Sequence, residues 1–287
     1  MRYFDVRRCV LPCGVIVSML ASSVAQAELI AHYKFDEISG ATSAVNEVTA
    51  NGGNGAIGSN VGVGVGGKIG NAVQLRNDAL QAGVVDMGNA TTIFGRMTTS
   101  NALTISYWLK SSDIAANRSV AVFLGNSGAS NDYIDSGILG GTQTDAPNGS
   151  AYGRNRKATN TAANIGDLFG TLINDGAFHH LALTVDIANT TGSFYVDGVL
   201  IDTETSVTKF GALPTLNNLE VGRLGRGSPV DPIDGVVDDL QIYDKALGPL
   251  GIKYLFDNPG SVVPEPSALA LISVAGGLLA SRRRMTA

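Results

Sequence analysis

The chain has 287 residues, a formal net charge of −5 and two cysteines. Three arginines lie among its first eight residues and three among its last six, so the long middle part is more acidic than the whole chain. We expect no nucleic-acid or anionic-lipid partner, because an acidic domain lacks the basic surface that attracts both. Cys9 and Cys13 precede that middle part, so we also expect no disulfide or thiol chemistry within it.

The first 27 residues have the pattern of an export signal. The N-terminal arginines precede an apolar run over residues 9–25, and Ala25-Gln26-Ala27 fits the small-x-small rule of signal cleavage. We therefore predict a signal peptide over residues 1–27, removed by signal peptidase. A short membrane anchor is the alternative, although the run is shorter than the roughly 20 apolar residues that a span needs.

The next part of the chain alternates apolar and polar residues with the period of a β-strand. Residues 29–35 and 101–110 show this pattern, and in the second stretch Trp108 falls on the opposite face from Leu103, Ile105 and Leu109. The glycine-rich residues 39–67 lie between them. No strand followed by a helix frames these glycines, so they indicate close backbone turns rather than a phosphate-binding loop.

Residues 178–202 predict an antiparallel meander of three short strands. Leu181, Leu183 and Val185 share one face of the first strand, and Asp197-Gly198 supplies the two positive-φ positions of a type I′ hairpin. No nearby helix-period segment could cover this sheet, so its apolar face should pack on a second sheet. We therefore predict an all-β, two-sheet antiparallel sandwich as one domain, residues 28–257, which ends in a short helix opened by Pro249.

The histidines and carboxylates do not form a recognisable catalytic set. His179 and His180 are adjacent on a strand and cannot bind one ion together, so we predict no zinc site and expect one packed and one open imidazole. No two glutamates lie within one strand, as the acid and nucleophile of a glycosidase would. We also expect Asp238 and Asp239 to point to opposite faces. The sequence therefore predicts a protein that is not an enzyme.

The C-terminal residues have three parts: the motif Val263-Pro264-Glu265-Pro266-Ser267, an apolar run over residues 268–280, and three arginines. This order resembles the PEP-CTERM sorting signal. The arginines would hold the C-terminus on the cytoplasmic side of a membrane. We therefore predict a linker over residues 258–262 and a sorting and transmembrane segment over 263–287, with an amphipathic or plain C-terminal anchor as the alternative.

The resemblance to the PEP-CTERM signal implies a route for the protein. It implies export from a Gram-negative bacterium, transient anchoring in the inner membrane and recognition of the motif by an exosortase. It also implies delivery to the cell surface or the extracellular matrix.

Seven segments of the chain resemble, in order and spacing, the laminin-G-like, concanavalin A-like lectin/glucanase jelly roll. They are FDE, GKIGNAVQL, LTISYWLK, FHHLALTVD, FYVDGVLI, LEVGR and DGVVDDLQIYDKAL, and the resemblance runs from about residue 29 to residue 256. Two departures are Phe178, where the family usually has Trp, and the long stretch 125–175, which is rich in Asn, Gly and Thr. The resemblance implies a jelly-roll sandwich.

The same resemblance implies a structural calcium ion between the first and last strands. Similar proteins place an aspartate where Asp238 lies and an acidic residue near Asp36 or Glu37. The parity of Leu240 and Ile242 predicts that Asp238 points inward, and a buried carboxylate needs a cation or backbone N–H partners. Oxygen ligands of this kind suit Ca²⁺. A turn-capping role for Asp238 is the alternative.

We predict a lectin-like binding module for carbohydrate or exopolysaccharide. Aromatic rings beside fixed polar groups are the usual device for holding sugars. The long stretch 125–175 should present such groups from loops at the edge of the sandwich: Asp132, Tyr133, Asp135, Tyr152, Arg154 and Asn155. The alternatives are a passive structural protein of the extracellular matrix and, with less support, a glycoside hydrolase.

Overall fold

The computed structural model describes residues 27–78, 83–113, 117–129, 131–142, 144, 146–157 and 165–264. Nearly all of the predicted signal peptide lies outside these residues, and so does the predicted sorting segment from Glu265 onward. No helix in the described part is long and apolar enough to cross a membrane.

Short strands make up most of the described chain. In chain order the strands are β1 (Leu29–Tyr33), β2 (Ser43–Ala44), β3 (Gly55–Ile57), β4 (Gly62–Gly66), β5 (Asn71–Leu75), β6 (Val85–Gly88), β7 (Ala102–Lys110), β8 (Arg118–Gly125), β9 (Tyr133–Leu139), β10 (Ser150–Arg156), β11 (Gly166–Leu172), β12 (Phe178–Asp186), β13 (Thr191–Val196), β14 (Val199–Thr205), β15 (Asn218–Val221) and β16 (Gly235–Tyr243). The helices are α1 (Thr91–Ser100), α2 (Val207–Phe210) and α3 (Pro249–Asp257).

The strands form two antiparallel sheets that pack face to face. The first sheet has the order β14-β13-β12-β7-β16-β5-β4, with β1 paired to β16, and the second has the order β11-β10-β9-β8-β15-β6-β3-β2. Ile105 and Phe194 of the first sheet share one buried core with Leu124, Ile134 and Leu168 of the second. The predicted all-β, two-sheet sandwich is therefore confirmed.

The meander predicted over residues 178–202 is present as β12, β13 and β14. Leu181 pairs with Val196 across β12 and β13. Asp197 and Gly198 have φ of 51° and 75° between β13 and β14, as a type I′ turn requires. Local alternation and turn chemistry were therefore sufficient to predict this part of the first sheet.

The outer face of the first sheet is covered by α3, which begins at Pro249 as predicted. Trp108 points away from the core, and its ring stacks on Phe256 of this helix at 5.7 Å between centroids. Ile252 and Leu255 pack against Tyr243 of β16. Burial of this apolar surface holds the helix on the sheet.

A bulge in β16 overturns two expectations. Its register with β7 shifts between Asp238 and Gln241, and Asp239 has a positive φ of 49°. Val237 and Leu240 both belong to the main core, so the inward parity does not extend to Asp238 as expected. The extra residue also brings Asp238 and Asp239 to one cavity, although strict alternation would send them to opposite faces.

Candidate binding site on the outer face of the second sheet

The six residues predicted to contact a ligand lie on strands or next to one, and this corrects the expectation of edge loops. Tyr133 and Asp135 lie on β9, and Tyr152, Arg154 and Asn155 lie on β10. Each of the five is at most 6% exposed. Their positions are therefore fixed by the pairing of the second sheet.

Glycines inside these strands concealed them from sequence reasoning. A Cβ added to Gly137 of β9 would lie 2.0 Å from the carbonyl oxygen of Ser119 on β8. A Cβ on Gly153 of β10 would lie 2.9 Å from Leu183 and from Phe194 of the opposite sheet. Glycine permits these close approaches, yet its abundance made residues 125–175 look like an irregular connection.

Alternation along β9 and β10 divides their side chains between two faces. Ile134, Ile138 and Ala151 point into the core. Asp135 and Arg154 are cross-strand partners on the other face of the second sheet, here called the outer face. Tyr133 and Tyr152 each lie two residues from one of this pair along the same strand, so they share the outer face. Four of the six predicted residues therefore come together: Tyr133, Asp135, Tyr152 and Arg154.

Asp135 and Arg154 form a buried ion pair at the centre of the outer face. The Nε and Nη2 atoms of Arg154 each donate to a different oxygen of Asp135 at 2.7 Å, and the hydroxyl of Tyr152 donates to Asp135 at 2.8 Å. Burial lowers the pKa of Arg154, but the carboxylate of Asp135 outweighs burial and holds that pKa well above its ordinary value. The pair is therefore charged and neutralised internally.

The remaining two predicted residues have structural contacts instead. The Nδ2 atom of Asn155 donates to the carbonyl oxygens of Lys209 at 2.8 Å and Ala212 at 3.3 Å. Asp132 precedes β9, and its Oδ2 accepts from the backbone N–H of Thr215 at 3.2 Å. Neither residue lines the cavity of the outer face.

Three arginines lie on the two tyrosine rings of the outer face. The guanidinium of Arg118, on β8, is 5.0 Å from the ring centre of Tyr152. Those of Arg154 and Arg156 are 4.9 Å and 5.9 Å from the ring centre of Tyr133. Arg156 also donates from Nη1 to the hydroxyl of Tyr133 at 3.2 Å. Cation–π contact therefore holds the guanidinium planes in place.

The connection between β15 and β16 folds over one side of this face. Leu224 pairs with Val230 as an isolated bridge and packs against Val120, Phe123 and Tyr133. A cavity of about 340 Å³ remains between this connection and the strands. Its lining consists of Asn117, Arg118, Tyr133, Arg154, Arg156, Ile165, Asp167, Leu224, Arg226 and Asp231.

Two guanidinium groups at the cavity keep a donor without a protein partner. The Nε atoms of Arg118 and Arg156 are buried, and their N–H groups donate to no acceptor among the described residues. The Nη2 atom of Arg118 lies 3.4 Å from Oδ1 of Asp167. These donors give the cavity a capacity to bind oxygen atoms of a ligand.

Sequence reasoning missed Arg118, Arg156 and Arg226. Arg156 follows Arg154 by two residues, so strand alternation alone could have placed it on the same face. Arg118 and Arg226 lie on β8 and on the β15–β16 connection, far away in sequence. Only the order of strands in the second sheet brings them to the cavity.

A second cavity, of about 250 Å³, lies beside β16 and contains two of the three predicted calcium ligands. Asp36 and Asp238 line it together with Asp239. Glu37 is used elsewhere, because its Oε1 accepts from the backbone N–H of Val45 at 2.7 Å. Within the described part of the chain, no group of three acidic, histidine or cysteine side chains is placed to hold a metal ion.

The carboxylates of this second cavity cap the turn between β4 and β5. Asp238 accepts through Oδ2 from the backbone N–H of Ile69 at 2.9 Å, and Asp36 accepts from that of Asn71 at 2.8 Å. The other oxygen of Asp238 has no hydrogen-bond partner among the described residues, and burial raises the pKa of this carboxyl to about 7. The turn-capping alternative is thus observed. Calcium stays a prediction and would need backbone carbonyls or water for most of its six to eight ligands.

The chain spans only a small part of the length of the curated proteins that it matches. The rat protein "Sushi, von Willebrand factor type A, EGF and pentraxin domain-containing protein 1" (Rattus norvegicus) is 26% identical over 192 residues, which are 64% of this chain and 5% of that protein. The mouse protein of the same name (Mus musculus) is 29% identical over 167 residues, 56% of this chain and 4% of that protein. The chain therefore matches a small portion of each.

Solved structures share the fold at low sequence identity. Domain 4 of AbnA, a GH43 extracellular arabinanase from Geobacillus stearothermophilus, has a TM-score of 0.54 and 24% identity, covering 80% of this chain and 98% of that chain. The binding domain of Botulinum Neurotoxin DC has a TM-score of 0.56 and 15% identity, covering 80% of this chain and 51% of that chain. These likenesses support the same two-sheet architecture.

A family comparison agrees with the two-sheet sandwich and with the resemblance seen in the sequence. Residues 81–253 match the sequence model of Laminin_G_3, which is described as the concanavalin A-like lectin/glucanases superfamily. The match covers more than half of the chain. The chain therefore belongs to the concanavalin A-like lectin/glucanases superfamily.

Proposed function

We propose that this domain is a carbohydrate-binding module whose site is the cavity on the outer face of the second sheet. The observation that carries the proposal is the cavity itself, in which guanidinium donors fixed on tyrosine rings surround about 340 Å³. This volume falls in the range of roughly 300–1,000 Å³ found for ligand sites. The donors suit a ligand rich in oxygen atoms, as a sugar is.

Two solved structures with this fold are ligand complexes, and they support the proposal. Domain 4 of AbnA is described in complex with arabinotriose, and the neurotoxin binding domain in complex with SialylT. Their identities to this chain are low, so they indicate what the fold can carry and not which sugar this chain binds.

The chemistry proposed here differs from simple stacking of sugars on aromatic rings. Tyr133 and Tyr152 are buried, and their faces are already covered by arginines. Sugar oxygens would therefore meet the guanidinium groups of Arg118 and Arg156, while the rings orient those groups. Asp135 would hold the site in shape through Arg154 and Tyr152 and would not contact the ligand.

A glycan array probed with the full chain tests this function. We expect binding to a defined set of glycans, and Arg156→Gln should reduce it. Lys253→Gln should leave binding unchanged, because it removes an exposed charge from α3 on the other sheet. A folded chain that binds no glycan would contradict the proposal and favour a passive structural role.

We further propose that the protein binds without hydrolysing its ligand. The buried carboxylate of Asp135 accepts three hydrogen bonds from Arg154 and Tyr152, so it is not free to act as nucleophile or acid. Incubation of the chain with each bound glycan, followed by reducing-end analysis, should show no new ends. Release of new ends above the level of a heat-denatured sample would favour a hydrolase.

We also propose export and exosortase-dependent sorting, on the support of the terminal sequence patterns alone. Signal peptidase would remove residues 1–27, and an exosortase would act at Val263, Pro264, Glu265 and Pro266 while the C-terminal segment lies in the inner membrane. Fractionation of a Gram-negative host should find the mature chain at the cell surface or in the matrix. An uncleaved chain in the cytosol would contradict this route.

A further inference from the structure

The cavity on the outer face is positively charged, in contrast to the chain as a whole. Four arginines line it, Arg118, Arg154, Arg156 and Arg226, whereas the acidic side chains in its lining are Asp167 and Asp231. Arg154 is balanced by Asp135 beneath it. The four arginines exceed Asp135, Asp167 and Asp231 by one positive charge, so the cavity favours an anion although the chain has a net charge of −5.

Arg118 has a buried donor that indicates what the cavity binds. It is only 6% exposed, and a charged side chain so far from water is costly unless its donors are used. Nη2 lies 3.4 Å from Asp167, but the buried Nε has no hydrogen-bond partner in the part of the chain that the structure describes. The protein thus maintains a desolvated cationic donor at a cavity wall.

Arg156 repeats this arrangement from the next strand but one. Its Nη1 is fixed by the hydroxyl of Tyr133, while its Nε is buried and unpartnered among the described residues. Guanidinium groups bind carboxylate and sulfate oxygens through such forks, and preorganisation on a ring lowers the entropic cost of binding. A neutral hydroxyl would form weaker hydrogen bonds with these donors than an anion would.

We propose that the cavity binds an acidic glycan, with the carboxylate or sulfate oxygens of the sugar accepting hydrogen bonds from Arg118 and Arg156. This inference rests on the proposed carbohydrate-binding function and narrows it to anionic sugars. It assigns Arg118 and Arg156 as ligand contacts and leaves Arg154 as a residue that positions the site.

Titration calorimetry of the full chain against paired polymers tests the inference. One pair is polygalacturonate and its methyl ester, in which a methyl group replaces the carboxylate charge, and the other is dextran sulfate and dextran. We expect the acidic member of at least one pair to bind about tenfold or more tightly than its neutral partner, as the loss of a charge-assisted hydrogen bond implies. Which pair shows the difference distinguishes carboxylate from sulfate.

Added salt and substitutions distinguish binding at the arginine-lined cavity from non-specific electrostatic binding to the protein surface. Binding through buried guanidinium groups should survive 0.5 M NaCl in large part, whereas attraction to exposed charges is screened. Arg156→Gln should weaken binding of the acidic polymer about tenfold. Arg118→Lys, which keeps the charge but not the fork, should also weaken it, and Lys253→Gln should not. Circular dichroism would verify that each variant is folded. If Arg118→Lys does not fold, the Arg156→Gln variant alone tests the inference.

The outcomes distinguish the inference from the function on which it rests. Equal binding of acidic and neutral polymers, unaffected by Arg156→Gln, would overturn the acidic-glycan inference and leave carbohydrate binding intact. Binding of acidic polymers that Lys253→Gln weakens as much as Arg156→Gln would also overturn it. Failure to bind any glycan on the array or in solution would overturn both.

Discussion

At the scale of single residues, the ion pair between Asp135 and Arg154 organises the outer face of the second sheet. Asp135 is fully buried and receives both its charge partner and the hydroxyl of Tyr152 from β10. Burying two charges is costly, and removal of one partner leaves the other uncompensated. The stability of the domain should therefore depend strongly on Arg154.

Arg154→Met should lower the free energy of unfolding by about 3–5 kcal/mol, because Asp135 would remain buried without its partner. Urea denaturation of the variant against the wild type measures this. Adding Asp135→Asn to Arg154→Met should recover part of the loss. A loss below about 1 kcal/mol, the size expected for an exposed pair, would contradict the buried pair.

His180 should make the domain sensitive to acid. It is 1% exposed beside Trp108, its Nε2 lies 2.8 Å from the hydroxyl of Ser106, and burial lowers its pKa to about 4. Between pH 4 and the ordinary value near 6.5 the unfolded chain binds more protons at this residue than the folded chain does. Stability contributed by neutral His180 is therefore present above pH 6.5 and lost as the pH falls toward 4.

The size of this loss should be roughly 3 kcal/mol between pH 6.5 and pH 4, as a pKa difference of this size implies. Urea titrations at several pH values measure it as the difference between the wild type and His180→Gln, which removes the titrating group. His179→Gln is the control, because Asp197 and Asp175 hydrogen-bond the partly buried His179 and raise its pKa against the effect of burial. Identical acid profiles for the wild type and His180→Gln would contradict the assignment.

We predict that calcium binds beside β16 and that this binding depends on Asp238. With millimolar CaCl₂ we expect a rise in melting temperature that EDTA reverses, because Asp36 and the unpartnered oxygen of Asp238 line one cavity. Asp238→Asn should abolish the rise. A wild-type transition that is the same in EDTA and in CaCl₂ would leave Asp238 with its turn-capping role alone.

At the scale of elements, the strands that sequence reasoning identified are those with clear alternation. The meander β12–β14 and strand β7 follow from apolar spacing and from Asp197-Gly198, because those signals act within a few residues. Strands β9 to β11 were missed since their glycines serve packing against partners distant in sequence. The bulge at Asp239 was also missed, because one extra residue reverses parity without a local sequence signal.

Gly137 provides a test of the packing argument for β9. An alanine there would place its Cβ against the backbone of β8, so the two strands would have to separate. We expect Gly137→Ala to lower the unfolding free energy by about 1–3 kcal/mol, the range for overpacking. Thermal denaturation measures the effect, with Gly66→Ala as control, since a Cβ at Gly66 meets nothing within 4 Å. Equal melting temperatures for the two variants would contradict the proposed role of Gly137.

The predicted linker, residues 258–262, has defined contacts with β16. The backbone N–H of Gly260 donates to Asp239 at 3.0 Å, and Gln241 donates to the carbonyl oxygen of Ser261 at 3.0 Å. Val263 then donates to the hydroxyl of Tyr243 at 3.2 Å. The start of the predicted sorting motif is therefore tied to the first sheet.

At the scale of the whole molecule, the two outer faces of the sandwich are used differently. The first sheet is covered by α3 and by the chain that follows it, so its outer surface serves stability. The second sheet carries the arginine-lined cavity, partly covered by the β15–β16 connection. The sequence predicted the sandwich and four of the outer-face residues. It could not predict the cavity, because Arg118 and Arg226 reach it only through long-range strand pairing.

We propose that a glycan binds at the guanidinium groups of the second sheet. Side-chain Nε–H resonances of the arginines report on it directly when an acidic glycan is titrated into isotope-labelled full chain. We predict that the Nε–H signals of Arg118 and Arg156 shift in proportion to the bound fraction, while that of Arg96, which pairs with Glu28 at the first sheet, stays in place. A bound glycan that leaves the signals of Arg118 and Arg156 unmoved would contradict the account.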